Sequence, residues 1–301
     1  MSPTRDRDDL SAPRDRDDLS APRDWDDLSA PRDWDDAYAN AAHIPGADAL
    51  PARWAATAGA YRAALGDRLQ ADLPYGPGPR ARFDLVWPDG APRGLAVFVH
   101  GGYWLRFDRS TWTHLAEGAR ARGWAVALPS YPLAPDATLP QITAAVAEAI
   151  TAAAARVAGP IRLAGHSAGG HLVVRMLCAD SPLAPELRER LTGTVSISGL
   201  HDLRPLMRTA MAGPLALDLA TARAESPALA EPCEGAVLAV WVGADERPEF
   251  LRQARLMALV WEGFDIRVAL HEAPGQNHFT VIDPLRDPSA PLTEAWVGAG
   301  G

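Results

Sequence analysis

Ser167 sits at the centre of Gly165-His166-Ser167-Ala168-Gly169-Gly170, the G-x-S-x-G pattern of a nucleophile elbow. In that turn a strand passes sharply into a helix, and the glycines let neighbouring backbones pass where a Cβ would clash. The pentapeptide alone also fits an ordinary turn between core elements. Its flanks favour the elbow: Ile161-Arg162-Leu163-Ala164 reads as a buried strand, and His171 to Leu177 carries apolar residues at helical spacing. A serine hydroxyl is a weak nucleophile at neutral pH, so Ser167 needs a base within hydrogen-bond reach and a carboxylate to orient that base.

Eight histidines compete for the base. In an open α/β sheet chemistry collects at the carboxyl ends of strands, and where a nucleophile elbow supplies the serine the acid and then the histidine follow it along the chain. Only His201, His271 and His278 follow the elbow and its helix. His278 lies in the loop after the last strand, behind Pro274-Gly275-Gln276-Asn277, whereas His271 falls within that strand and His201 in a segment beyond an earlier one. His278 is therefore the expected base. His100 and His166 flank glycines and are read as holding loops, and His171 as a packed residue of the elbow helix. The acid should end the strand Val237 to Val242, where Asp245 and Glu246 are adjacent carboxylates pointing in different directions. Position alone does not choose between them.

Acyl transfer also needs donors for a developing oxyanion. His100-Gly101-Gly102-Tyr103-Trp104 follows the apolar run Leu95 to Val99, and its Gly-Gly turn can approach the serine closely. The expected oxyanion hole comprises Gly101, Gly102 and Tyr103 from this loop and Ala168 just after the serine. Trp104 and Phe107, with Trp112 nearby, are candidates for an aromatic wall that binds substrate.

These residues demand a scaffold that presents strand ends. The apolar runs Leu95 to Val99, Trp124 to Leu128, Ile161 to Ala164, Val195 to Ser198, Val237 to Val242 and Ile266 to Leu270 alternate with helical stretches over Arg109 to Gly123, Ile142 to Val157 and Phe250 to Trp261. That rhythm predicts an α/β fold: a mostly parallel sheet with right-handed crossovers and helices on both faces. Ala81 to Trp87 alternates like an edge strand, and Pro51 to Leu69 reads as a helix with Trp54, Ala58, Tyr61 and Leu65 on one side. Residues 201–222, long and rich in Leu, Met and Ala, are expected to form a small cap over the strand ends. Residues 1–31 repeat a nine-residue unit, Arg5 to Pro13 and onward, with one leucine and dense charge in each, and are expected to be disordered. The domain is placed at 32–301.

With 301 residues, 48% of them hydrophobic, the chain can bury a large core. No apolar run reaches membrane-spanning length and no secretory signal follows Met1, so a cytoplasmic location is expected. Cys178 and Cys233 stand far apart with no metal-ligand spacing. The net charge of −9 and the lack of a basic run speak against nucleic-acid or anionic-membrane partners. A small-molecule substrate without metal or organic cofactor is expected, and a homodimer is left open.

Taken together, these motifs resemble the α/β-hydrolase superfamily, and within it the kynurenine formamidase (arylformamidase) and related esterase/lipase group. The resemblance runs from about Asp35 to Leu285. It is carried by H-G-G-Y-W at His100–Trp104, where hormone-sensitive-lipase-like esterases usually show H-G-G-G or H-G-G-A, by His166-Ser167-Ala168-Gly169-Gly170-His171-Leu172, and by Asp35-Asp36-Ala37-Tyr38-Ala39-Asn40. It implies Ser167 as nucleophile and His278 as base. Counting back from Glu249-Phe250, the family's acid position falls on Glu246, 32 residues before His278. Asp245 would need a one-residue shift, although the family's commoner acid is aspartate. The implied reaction is hydrolysis of N-formyl-L-kynurenine to kynurenine and formate, with Arg106 or Arg109 available for the substrate carboxylate. A general carboxylesterase for small acyl esters is the alternative, and a non-catalytic binding protein on the same scaffold is a third reading from another class.

Overall fold

The apolar runs become strands because both of their faces are covered. In Leu95–Val99, the side chains of Leu95, Val97 and Val99 join one hydrophobic cluster while Ala96 and Phe98 join another on the opposite face. Ala125–Pro129 repeats the pattern, with Ala125 and Ala127 on one side and Val126 and Leu128 on the other. Period-2 alternation between two buried layers is what a sheet clad in helices requires. Each fully buried Val, Leu, Ile or Phe in these strands contributes roughly 1.5–3 kcal/mol of burial free energy.

The computed structural model describes residues 32–298; the nine-residue repeats lie outside the described residues. Eight strands form one sheet: β1 (Leu69–Pro74), β2 (Arg82–Val86), β3 (Leu95–Val99), β4 (Ala125–Pro129), β5 (Ile161–His166), β6 (Leu191–Ile197), β7 (Val237–Gly243) and β8 (Arg267–Ala273), in the order β1-β2-β4-β3-β5-β6-β7-β8. β2 pairs antiparallel with β1 and β4, and all other pairings are parallel. The helices are α1 (Trp34–Tyr38), α2 (Leu50–Leu65), α3 (Glu117–Ala121), α4 (Leu139–Ala154), α5 (Ala168–Arg175), α6 (Pro185–Arg188), α7 (Leu219–Ala224), α8 (Pro248–Glu262) and α9 (Pro291–Val297). Residues of α4, α5 and α8 pack into one cluster, and residues of α2, α3 and α9 into the other. None of these helices is long and apolar enough to cross a membrane.

One expectation changes. Ala81 to Trp87 supplies β2, which is not the edge: Leu69–Pro74 adds β1 outside it, with a mostly exposed face that gives little hydrophobic pattern. β2 instead carries Asp84, fully buried and paired with Arg62 and Arg109. Residues 201–222 fold as 3-10 turns at Arg204–Arg208 and Ala210–Ala212 leading into α7, and bury Leu203, Leu206, Leu215 and Leu217 in the core.

Several histidines are locked into this core as neutral rings. His171 donates Nε2–H to the Glu225 carbonyl at 2.7 Å, and burial pushes its pKa down to about 3. His201 is likewise pushed to about 3, and His100 to about 4, in each case chiefly by burial. Below the ordinary value of 6.5 the unfolded chain takes up protons that the fold refuses. The stability held by these rings is thus complete above pH 6.5 and drains as pH falls toward their folded values, by about 1.4 kcal/mol per pH unit for each ring. Urea midpoints should be nearly level from pH 7.5 to 6.5 and drop steeply to pH 5.5. A flat profile through that interval would contradict the neutral, buried assignment.

Candidate active site

β5 ends in His166 and α5 begins at Ala168, so Ser167 is the single residue between strand and helix. Its φ of 55° and ψ of −117° place it in a region that L-residues rarely occupy, and its N–H donates to the Ile197 carbonyl at 2.8 Å. The glycines make that turn sterically feasible. A Cβ on Gly165 would collide with the Gly169 carbonyl, and one on Gly169 with the Val99 carbonyl at the end of β3. The first Gly of the Gly101-Gly102 turn leans on the elbow: a Cβ there would stand 2.9 Å from the His166 carbonyl oxygen and 3.0 Å from Ser167 Cβ. Gly102 and Tyr103 both take positive φ, which swings the turn past Ser167. No protein acceptor takes up the N–H groups of Gly102, Tyr103 or Ala168 among the described residues.

After β8, the loop reaches His278 over Asn277, whose Oδ1 accepts the N–H groups of Phe279 and Thr280. The turn after β7 is zipped to this loop. Ala244 N–H donates to the Ala273 carbonyl at 2.9 Å and Asp245 N–H to the Gln276 carbonyl at 3.0 Å. That register brings Glu246 Oε2 to 2.6 Å from His278 Nδ1, with both side chains buried. Glu246 Oε1 accepts the Gly243 N–H at 2.8 Å and the Ser198 hydroxyl. A carboxylate so held fixes the proton on Nδ1 and leaves Nε2 as the ring's acceptor. Asp245, the neighbouring candidate, is exposed. The geometry thus couples Glu246, and not Asp245, to His278.

Among the described residues no other histidine bonds Glu246. His166 donates Nε2–H to the His278 carbonyl at 2.9 Å, tying elbow to loop, and burial keeps its pKa well below the ordinary value. His100 donates Nδ1–H to the Gly101 carbonyl at 2.7 Å and stacks on Tyr131. His271 stacks on Trp241 along edge strand β8, and His201 meets Ser196 in the core.

Ser167 and His278 open onto a cavity of about 310 Å³, in the range of small-molecule pockets. Its walls are aromatic: Trp54 from α2 lies 4.8 Å from Trp112, 5.5 Å from Phe279 and 6.0 Å from Phe107, centroid to centroid. Phe107 lines the cavity, whereas Trp104 does not. The positive φ of Gly102, Tyr103 and Trp104 turns the chain inward, so Trp104 is fully buried against the edge of His171. Arg106 lines the cavity, is exposed at its side and makes no ion pair among the described residues. Arg109 is spent elsewhere, on Asp84 and Asp72. Trp54, Phe279 and the stretch Tyr38–Ala42 complete the lining, whereas residues 201–222 contribute nothing to it. The role of Tyr38–Ala42 depends on contacts across the chain: Tyr38 donates its hydroxyl to Glu249 of α8 at 2.9 Å, and Asp36 pairs with Arg247. Its signal in the sequence was the Asp35–Asn40 motif, legible as a resemblance and not as a wall.

Such an arrangement can carry acyl transfer: a strained serine, a histidine oriented by a buried carboxylate, and backbone N–H groups without protein acceptors in the elbow and the neighbouring turn. Comparison with known proteins agrees with that chemistry. Kynurenine formamidase of Danio rerio is 25% identical over 233 residues, covering 74% of this chain and 79% of the relative. That of Salmo salar is 26% identical over 237 residues with the same coverage. A solved structure from Silicibacter sp. TM1040, provisionally assigned as a thioesterase, is 48% identical, covers 89% of this chain and all of its own, and superposes with a TM-score of 0.85. From β3 onward, over residues 96–299, the sequence matches the model of the alpha/beta hydrolase family, and the sheet order and the elbow at the end of β5 fit that match. The chain is an enzyme of the hydrolase class and belongs to the alpha/beta hydrolase family.

Proposed function

We propose that this hydrolase cleaves the N-formyl amide of an aryl substrate, N-formyl-L-kynurenine, to kynurenine and formate. The observation that carries the reading is the aromatic cavity beside Ser167 with Arg106, free of carboxylate partners among the described residues, at its side. Aromatic walls suit an aryl group, and a guanidinium suits a carboxylate in bidentate contact. The curated formamidases to which the chain is similar support it.

In this mechanism His278 Nε2 takes the proton of Ser167 Oγ as that oxygen attacks the formyl carbon. Glu246 holds the Nδ1 proton and stabilises the imidazolium. The carbonyl oxygen, now negative, is met by the N–H groups of Gly102, Tyr103 and Ala168, with Gly101 allowing their approach. His278 then passes its proton to the aryl nitrogen, the C–N bond breaks and the amine leaves. Water, deprotonated by His278, attacks the formyl-serine, and formate departs as the proton returns to Ser167 Oγ.

A second reading, a small-acyl carboxylesterase or thioesterase, is favoured by the 48% identical Silicibacter protein. Parallel kcat/KM measurements on N-formyl-L-kynurenine, p-nitrophenyl acetate and a short acyl-CoA separate the two. A strong preference for the formamide is expected. In the variant Arg106→Leu, KM for N-formyl-L-kynurenine should rise by about tenfold to a hundredfold, from the loss of a charge-assisted contact, while the uncharged ester is little affected. Turnover of the ester or thioester alone would move the enzyme to the second reading.

A further inference from the structure

The Asp35–Asn40 motif holds one residue that the mechanism leaves without a task. Asn40 is only 4% exposed, yet it lines the cavity beside Ser167. Its hydrogen bonds run in one sense. The Tyr38 carbonyl can only accept, so it takes the Tyr103 hydroxyl hydrogen. That hydroxyl then has only lone pairs to offer, and Asn40 meets it with Nδ2–H at 3.2 Å. The orientation of the Asn40 amide follows from this chain, which leaves Oδ1 as an acceptor. Among the described residues no protein donor reaches it. An amide oxygen on a cavity wall gives up its hydration when a ligand enters and is repaid only if that ligand supplies a donor.

We propose that Asn40 Oδ1 accepts the N–H of the scissile amide and so selects amides over esters at Ser167. This rests on acyl transfer at Ser167 as read above, but not on kynurenine as the substrate. Two features point to a neutral N–H. A lone, uncharged oxygen compensates poorly for stripping water from an ammonium, whereas an amide N–H matches it in charge and in number. Placement agrees as well, because Asn40 is bonded to the side chain of Tyr103, whose backbone N–H stands among the oxyanion donors. An amide presents its N–H one bond from the attacked carbon. An ester presents lone pairs in the same place, leaving Oδ1 unpaired against another acceptor.

The test uses a matched pair with one acyl and one aryl group, N-formyl-4-nitroaniline and 4-nitrophenyl formate, with spontaneous hydrolysis subtracted. In Asn40→Leu the amide-to-ester ratio of kcat/KM should fall by about tenfold to a hundredfold; Asn40→Ala serves the same purpose if the leucine variant does not fold. Tyr103→Phe removes the hydroxyl that orients the Asn40 amide while leaving Oδ1 in place, so the ratio should fall there too, by less than in Asn40→Leu. If Asn40→Leu slows both alike, Asn40 only steadies the Tyr103 turn and the proposal is overturned. It is overturned equally if the wild-type enzyme turns over the ester and no formanilide. Activity on the formanilide without activity on N-formyl-L-kynurenine would instead refute the kynurenine reading and leave the role of Asn40 intact.

Discussion

Ser167→Ala is expected to lower kcat by about a millionfold, the loss seen when a serine hydrolase forfeits its nucleophile, while its thermal midpoint stays near that of the wild type. The structure supports both halves. The Ser167 hydroxyl accepts no helix-cap hydrogen bond from the first turn of α5, so it has no capping duty there. The strained backbone at φ 55° is enforced by Gly165 and Gly169, which are packed against each other and against β3, and alanine meets the same strain as serine. A fluorophosphonate should label the wild-type protein stoichiometrically and leave the variant unlabelled. Labelling of both would place the nucleophile elsewhere. A wild-type protein that takes no label would return the scaffold to the non-catalytic binding reading.

How far the sequence revealed this site depends on whether the relevant contacts are local. The elbow and the Gly-Gly turn were legible because their glycines answer clashes within a few residues, or with the end of the adjoining strand. The central strands were legible because burial on both faces compresses them into unbroken apolar runs. β1 was not, since a mostly exposed edge carries no such run. Trp104 and Phe107 illustrate the limit most clearly. They are three residues apart and chemically alike, yet the positive φ angles from Gly102 to Trp104 send one into the core and leave the other on the cavity. Arg106 and Arg109 divide in the same way, because the carboxylates that occupy Arg109 come from Asp72 and Asp84, far back in the chain. Trp54 and Tyr38–Ala42 form a wall only through tertiary contacts with Trp112, Phe279 and α8. Helical spacing and a motif resemblance were visible at these positions, but nothing local could assign them to the cavity.

Glu246→Gln should reduce kcat by about 10⁴-fold, whereas Asp245→Asn should stay within a few-fold of the wild type. The two carboxylates are neighbours in sequence and opposites in environment. Asp245 is exposed and contributes its backbone N–H to the loop, a bond that the asparagine keeps. Glu246 is buried, and each of its oxygens has a separate task. Oε1 accepts from Gly243 N–H and the Ser198 hydroxyl, and Oε2 receives the His278 Nδ1 proton at 2.6 Å. Glutamine fills the same volume and can still present its carbonyl oxygen to Gly243 and Ser198. Its NH₂ must then face His278 Nδ1, which can accept that donor only by giving up its own proton. The proton moves to Nε2, and the ring can no longer accept from Ser167. Loss of rate with little change in KM or in melting temperature would locate the defect in this tautomer. A Glu246→Gln enzyme with near-normal kcat, or an Asp245→Asn enzyme that is dead, would reassign the acid.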